Sequence, residues 1–397
     1  MKTSVSAAPQ KSVAGVTLWP LVRYFLKLGF GGPVALVGSI RRDLVEQRGW
    51  FGEADYQEGL ALAQLAPGPL AAQLAIYLGY VHARLRGATL VGLAFVLPSF
   101  LMVVALGWAY TAFGGLPWMQ AVFYGVGASV IGLIAHSAYK LVTRTIGRDG
   151  LLWGILLVTA AVTILTQSEQ VLLFVAAGIL VWLVKTPPNI RAWRIWKCRE
   201  PPLASVTSLP FATVVVLVGA AGGTLWTLFL FFMEAGAFVF GSGLAIVPFL
   251  YGGVVQQHHW LTDHQFVDAV AVAMITPGPV VITVGFIGFL VAGFAGAAVA
   301  ALGTFLPCYT VVVLAAPVFR RYGKRPAIEA AVKGVTAAAI GAITGAVVVL
   351  GQRTITDVPT AALAVITFLL VWKVKRLPEP MIVLLAGLIG VVLTLIR

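Results

Sequence analysis

Runs of apolar residues about 20 long recur along the chain, and the short segments between them hold most of its charge. A run of that length crosses a hydrocarbon core of about 30 Å as a helix. The pattern predicts helical spans near 87–111, 119–140, 150–166 and 170–185, and again near 296–318, 327–350, 358–373 and 379–396. Ahead of each set of four lie two less regular apolar segments. One is broken by "GFGGP" (29–33) in the first set and "VFGSG" (239–243) in the second, the other by "APGP" (66–69) and "TPGP" (276–279).

Composition agrees with this picture. The 397 residues are 60% hydrophobic and 10% charged, where a soluble domain carries roughly 25% charged residues. The expected fold class is an all-α polytopic membrane protein with about 8–12 spans. Residues 1–17 are polar and lack the apolar core of a signal peptide, so they read as a disordered cytoplasmic tail. The net charge of +13 is the excess of Lys and Arg expected of cytoplasmic loops, and calls for no nucleic acid partner. Cys198 and Cys308 stand apart with neither disulfide nor metal spacing, and Cys308, in an apolar run, reads as packing. No flavin, haem or metal motif is present, so no cofactor is expected and an enzyme is excluded.

The broken segments repeat in register. Pro67-Gly68-Pro69 returns as Pro277-Gly278-Pro279, a shift of 277 − 67 = 210, and the same shift carries Phe30-Gly31 onto Phe240-Gly241 and Trp50 onto Trp260. After one deleted residue the shift is 209: Gly87 falls on Gly296, Pro98 on Pro307 and Gly132 on Gly341. The chain is an internal duplication, 18–187 and 228–397, joined by a basic linker at 188–227 that holds a further apolar run, Leu209–Leu228.

The loops of the two copies carry opposite charge. Arg41, Arg42, Arg48, Arg84 and Arg86 have counterparts in 251–265 and 291–298, which contain no Lys or Arg. Conversely, "TAFGGLPW" (111–118) is matched by "FRRYGKRP" (319–326), and "TQSEQ" (166–170) by a segment with Lys373, Lys375 and Arg376. Because Lys and Arg mark the cytoplasmic side, the copies lie upside down relative to each other. Inverted repeats place a substrate site near the midplane where they meet. Whether Trp19–Ser39 crosses the membrane or re-enters it stays open. The halves flanking each PGP, about 11 and 14 residues, are each too short to span alone, which favours re-entry there.

Irregular backbone at membrane depth is tolerated where it is buried in protein or lines a polar cavity. A helix that begins just after Pro67-Gly68 points unpaired amides, at the positive end of its dipole, into the gap. Proline suits that first turn, and the pair forms an anion seat. The candidate substrate-binding residues are therefore Gly31, Gly32, Pro33, Gln64, Pro67, Gly68, Pro69, Gly241, Ser242, Gly243, Thr276, Pro277, Gly278 and Pro279. The competing reading makes the breaks kinks that permit close helix packing. Arg23 and Lys27 share one helix face and either attract anions or snorkel to the interface; Glu234 either pairs with one of them or carries a proton. The matched acids Glu53/Asp263 and Glu58/Asp268 either cap the half-helix leading into PGP or couple protons. In "HHWLTDH" (258–264) the histidines read as a solvated loop. Gln73, Ser99 and Thr283 are weaker hydrogen-bonding candidates.

With these motifs assembled, the sequence resembles the chromate ion transporter family in its long, two-repeat form. The resemblance rests on "FGGP" (30–33), "RRDLVEQRGW" (41–50), "QLAPGP" (64–69), "GATLVGLAFVLPS" (87–99) and the second copy's "FGSG", "TPGP" and "TFLP". It implies export of chromate, a tetrahedral oxyanion like sulfate, from the bacterial cytoplasm across the inner membrane, conferring resistance. The partners it implies are the oxyanion and the lipid bilayer; a second copy of the chain is a further partner the sequence admits.

Overall fold

A computed structural model describes residues 17–30, 36–113, 117–166, 171–187, 223–239, 246–276, 279–322, 326–374 and 379–396. Of the predicted tail at 1–17 and the predicted linker at 188–227, residues 1–16 and 188–222 lie outside them, and 223–227 form the start of a helix. The first copy comprises α1 (Leu18–Gly29), α2 (Leu36–Ile40), α3 (Glu53–Leu65), α4 (Leu70–Phe113), α5 (Pro117–Leu141), α6 (Gly150–Thr166) and α7 (Val171–Lys185). The second comprises α8 (Gly223–Ala237), α9 (Ile246–Leu250), α10 (Asp263–Ile275), α11 (Thr283–Tyr322), α12 (Pro326–Thr354), α13 (Val358–Lys373) and α14 (Glu379–Ile396).

The register of the duplication recurs in backbone detail. A wide-turn helical segment follows α2 at Arg41–Gln47 and α9 at Tyr251–Gln257. It is closed by Trp50 N donating to Leu44 O and Trp260 N to Val254 O, both at 2.8 Å. Ahead of each PGP, Ala66 (φ −86°, ψ 150°) and Thr276 (φ −72°, ψ 133°) are extended, because a following proline disfavours helical backbone. α4 is two helices joined at Ala83 (φ −142°, ψ 32°) and Arg84 (φ 52°, ψ −138°); α11 turns at Ala292 (φ −144°, ψ 31°) and Gly293 (φ 59°, ψ −149°). Glycines hold the legs of both turns together: a Cβ at Gly79 would lie 2.4 Å from Gly87 O, and one at Gly288 2.4 Å from Gly296 O.

These breaks turn each copy back on itself. Gly59 of α3 packs on Tyr77 and Leu74 of α4, so the two half-helices either side of Pro67-Gly68-Pro69 run antiparallel. After the turn at Arg84, the longer leg of α4 forms the crossing helix. By length and composition, four helical stretches among the described residues can cross a membrane: Leu70–Phe113, Gln120–Leu141, Thr283–Pro317 and Glu329–Thr354. The expected spans at α6, α7 and α13 are helices of 17, 15 and 16 residues, shorter than the roughly 20 that an upright span needs.

Corresponding helices of the two copies lie antiparallel. Along α5 and α12, Gly127 approaches Thr354 while Ile131 approaches Gly351. Along α4 and α11, Thr89 meets Tyr309, Phe100 meets Phe294 and Tyr110 meets Phe286. The copies also exchange packing partners: α5 packs on α13 and α14, and α12 packs on α6 and α7. Glycines make the exchange tight and symmetric. A Cβ at Gly125 would lie 2.0 Å from Ala386 O, and its counterpart at Gly334 2.3 Å from Ala177 O. Helices this close gain van der Waals contact where lipid offers no hydrophobic drive to associate.

Candidate functional site

The first PGP turn comes to rest against the second copy. The Gly68 amide donates to the Val239 carbonyl at 2.6 Å, immediately before the second copy's FGSG break. Gly68 has φ +128°, and a Cβ on it would lie 2.7 Å from Gln73 Nε2 and 2.8 Å from Cys308 Sγ. Glycine is required there for conformation and for space together. Gly68, Pro69, Gln73 and Cys308 are buried. Gln73 Nε2 donates to Ala66 O at 3.0 Å and the Gln73 amide hydrogen-bonds the Cys308 thiol, so this side chain clasps the turn from behind.

The first helical bond after the turn runs from Gln73 N to Pro69 O at 3.0 Å. The amides of Leu70, Ala71 and Ala72 precede it and have no helical acceptor, which concentrates partial positive charge at the tip. In the second copy, Ile282 N donates to Pro279 O at 2.9 Å, and Val280–Ile282 form a tighter 3₁₀ turn. Thr276 Oγ1 donates to Val272 O at 2.7 Å, so this hydroxyl is turned onto its own helix. Pro279 is buried, whereas Gln64 is exposed on α3. Gly31, Gly32, Pro33, Gly241, Ser242, Gly243, Pro277 and Gly278 lie outside the described residues.

The ionisable candidates separate by position. Leu21, Tyr24, Phe25 and Gly29 form the buried face of α1; Arg23 and Lys27 are exposed on the opposite face, as is Glu234 on α8. Among the described residues no ion pair joins Glu234 to Arg23 or Lys27, so the pairing considered from the sequence is not formed.

Glu53 accepts from Gln57 Nε2 at 2.7 Å and from Arg41 Nε at 3.1 Å. Those two contacts hold its carboxyl, at the outer end of α3, below the usual carboxylate range. Asp263 accepts from Tyr251 OH at 2.6 Å and from Arg353 Nη1 at 2.7 Å. Neither acid caps its helix: Gly52 precedes α3, and α10 is capped by Thr262 with Gln265 in a reciprocal box. Asp268 accepts from Tyr110 OH at 2.8 Å, while Glu58 is half-buried on α3. His258 stacks on Trp260 at 4.3 Å, and no group of three or more potential metal ligands occurs among the described residues.

Cys308, Val239 and Tyr110 were not candidates from the sequence. Register offered a signal for the first: the shift of 209 places Cys308 on Ser99, each directly after the proline of "VLPS" or "TFLPC". Ser99 Oγ donates to Gly29 O at 3.4 Å, and Gly29 is the position matching Val239. Tyr110 falls on Phe319, so a comparison of copies exposes it only as an unmatched hydroxyl.

A multi-pass helical chain whose inverted copies meet at broken helix ends has the build of an inverted-repeat membrane transporter. The chain belongs to the chromate transporter family, whose model matches residues 19–182 and 226–391; members are transport proteins, not enzymes. A chromate transport protein of Cupriavidus metallidurans is 64% identical over 95% of this chain and 93% of its own length. A probable chromate transport protein of Synechococcus elongatus is 60% identical over 95% of both, and a chromate transport protein of Pseudomonas aeruginosa 30% identical over 92% and 90%. No solved structure matches the chain.

Proposed function

We propose that this chain exports chromate from the bacterial cytoplasm across the inner membrane, and so confers resistance. The observation that carries the reading is the Gly68 turn. It is a helix start with free amides, buried at the contact between inverted copies, in a chain whose full-length relatives are named for chromate transport. Backbone amides suit a tetrahedral oxyanion because they bring partial positive charge without a fixed cation that would hold the ion too tightly to release. The two PGP turns act alternately, each opening to one side while the other closes over the ion.

Potential alone supplies enough drive. A charge crossing 100 mV gains about 2.3 kcal/mol, so a monoanion leaving a negative interior is driven to roughly a fiftyfold gradient and a dianion, at about 4.6 kcal/mol, to roughly a thousandfold one. Where a proton gradient contributes, Asp268 is the residue to carry it. Its carboxylate is hydrogen-bonded to a phenol rather than to a cation, whereas Glu53 and Asp263 are neutralised by Arg41 and Arg353.

Uptake of radiolabelled chromate into everted vesicles, under a potential set with potassium and valinomycin, tests the proposal. Saturable accumulation that follows the potential is the expected result. Sulfate accumulation without chromate accumulation would replace the cargo, and accumulation of neither would overturn the reading.

A further inference from the structure

Gln73 is fully buried beside the Gly68 turn, and its Oε1 has no hydrogen-bond partner. Its orientation is fixed by its neighbours: Nε2 faces the Ala66 carbonyl, so exchanging the two amide atoms would set carbonyl against carbonyl. Nε2 is held by the Ala66 carbonyl, on the side of Gly68 where Cys308 also packs. An unpartnered buried acceptor thus belongs to the same helix start whose first amides, those of Leu70, Ala71 and Ala72, have no helical acceptor. Buried polar groups are almost always paired, and one that is not calls for an explanation.

We infer that Gln73 Oε1 accepts a hydrogen bond from the hydroxyl of a monoprotonated oxyanion, so that the site selects hydrogen chromate and rejects sulfate. The two ions share shape and charge as dianions, but chromate takes up a proton near neutral pH and sulfate only in strong acid. An acceptor aimed at the ligand costs a hydrogen oxyanion nothing and repels one that has no proton to donate. A site built around such a bond discriminates strongly against an analogue that cannot complete it. The position matching Gln73 under the shift of 210 is Thr283, whose hydroxyl both donates and accepts. The first PGP turn is accordingly where discrimination occurs.

This inference rests on chromate being the cargo, and its test separates the two. Chromate transport by the full-length protein in liposomes is measured with equal pH on both sides, from mildly acid to mildly alkaline, with and without sulfate. For the natural protein, the KM for total chromate rises about tenfold per pH unit once the hydrogen form is the minority, and sulfate competes poorly throughout. In Gln73→Met, which keeps the volume and loses the acceptor, the pH dependence flattens and sulfate competes about tenfold better. A pH-independent KM in the natural protein, or unchanged selectivity in Gln73→Met, overturns the inference while leaving chromate as cargo. Should Gln73→Met fail to reach the membrane, the natural protein's pH profile decides alone. If the natural protein moves no chromate at any pH, the cargo is wrong and the inference falls with it.

Discussion

Where the long helix of each copy doubles back, the first copy sets Arg84 at φ 52° and the second sets Gly293 at φ 59°, after alanines whose angles agree to within 2°. At the PGP turns the likeness is looser. The first opens directly into an α-helix, with Gln73 and Cys308 packed against its glycine, and the second opens into a 3₁₀ turn at Val280–Ile282. Sequence divergence has thus been absorbed by side chains and helix starts, while the turns that set the path of the chain have held their backbone. Two copies constrained to one shape but free in chemistry would, under the proposed function, offer the same ion two unlike seats.

The sharpest way to break the symmetry is at the exchanged packing. Gly125→Leu and Gly334→Leu each drive a side chain into the carbonyl of Ala386 or Ala177. Each is expected to cost more than about 3 kcal/mol, beyond ordinary overpacking because backbone is struck. Yield and thermal unfolding in detergent should fall alike in both variants; a loss confined to one would show that the copies are not equivalent in holding the fold.

Next in size is Gly68→Leu, which should cut chromate transport at least about a hundredfold by displacing the turn, with the protein still present in the membrane. Transport at the natural rate would remove the PGP turn from the site. A chain cut within 188–222, its halves co-expressed, should recover transport to within a few-fold, since α5 and α12 each find their partners on the other half. Either half alone should show none, and activity from one half would contradict the exchange.

A smaller effect is expected at Asp268→Asn. Transport driven by potential should persist, and any part driven by a pH gradient should disappear; Asp263→Asn, which breaks the Arg353 pair, should lower stability without that selective loss. Smallest of all, Arg84→Gly should raise stability by about 1 kcal/mol, because glycine occupies positive φ without the cost of a Cβ. Gly293→Arg should lower it by a similar amount. Equal and opposite shifts in unfolding midpoint would measure how closely the two turns correspond.

Much of this architecture was legible in the chain. Duplication followed from PGP, FG and Trp50/Trp260 at one constant shift, and inversion from the exchange of Arg41, Arg42, Arg84 and Arg86 for uncharged counterparts, a local signal that membrane orientation reads directly. The half-helices before and after Pro67-Gly68-Pro69 were legible because proline and glycine act on their own backbone. The roles of the charged candidates were not. Arg23, Lys27 and Glu234 are turned outward, and Glu53 and Asp263 are tied to arginines, since what a charge does depends on the face and neighbours that packing gives it. The proposed seat belongs to tertiary structure. The long helices of both copies carry small residues, so nothing local specifies that α5 packs on α13 and α14 rather than on its own neighbours, or that Cys308 and the Val239 carbonyl close over Gly68. Those contacts join residues more than 150 positions apart, and only the antiparallel crossing of the two copies brings them together.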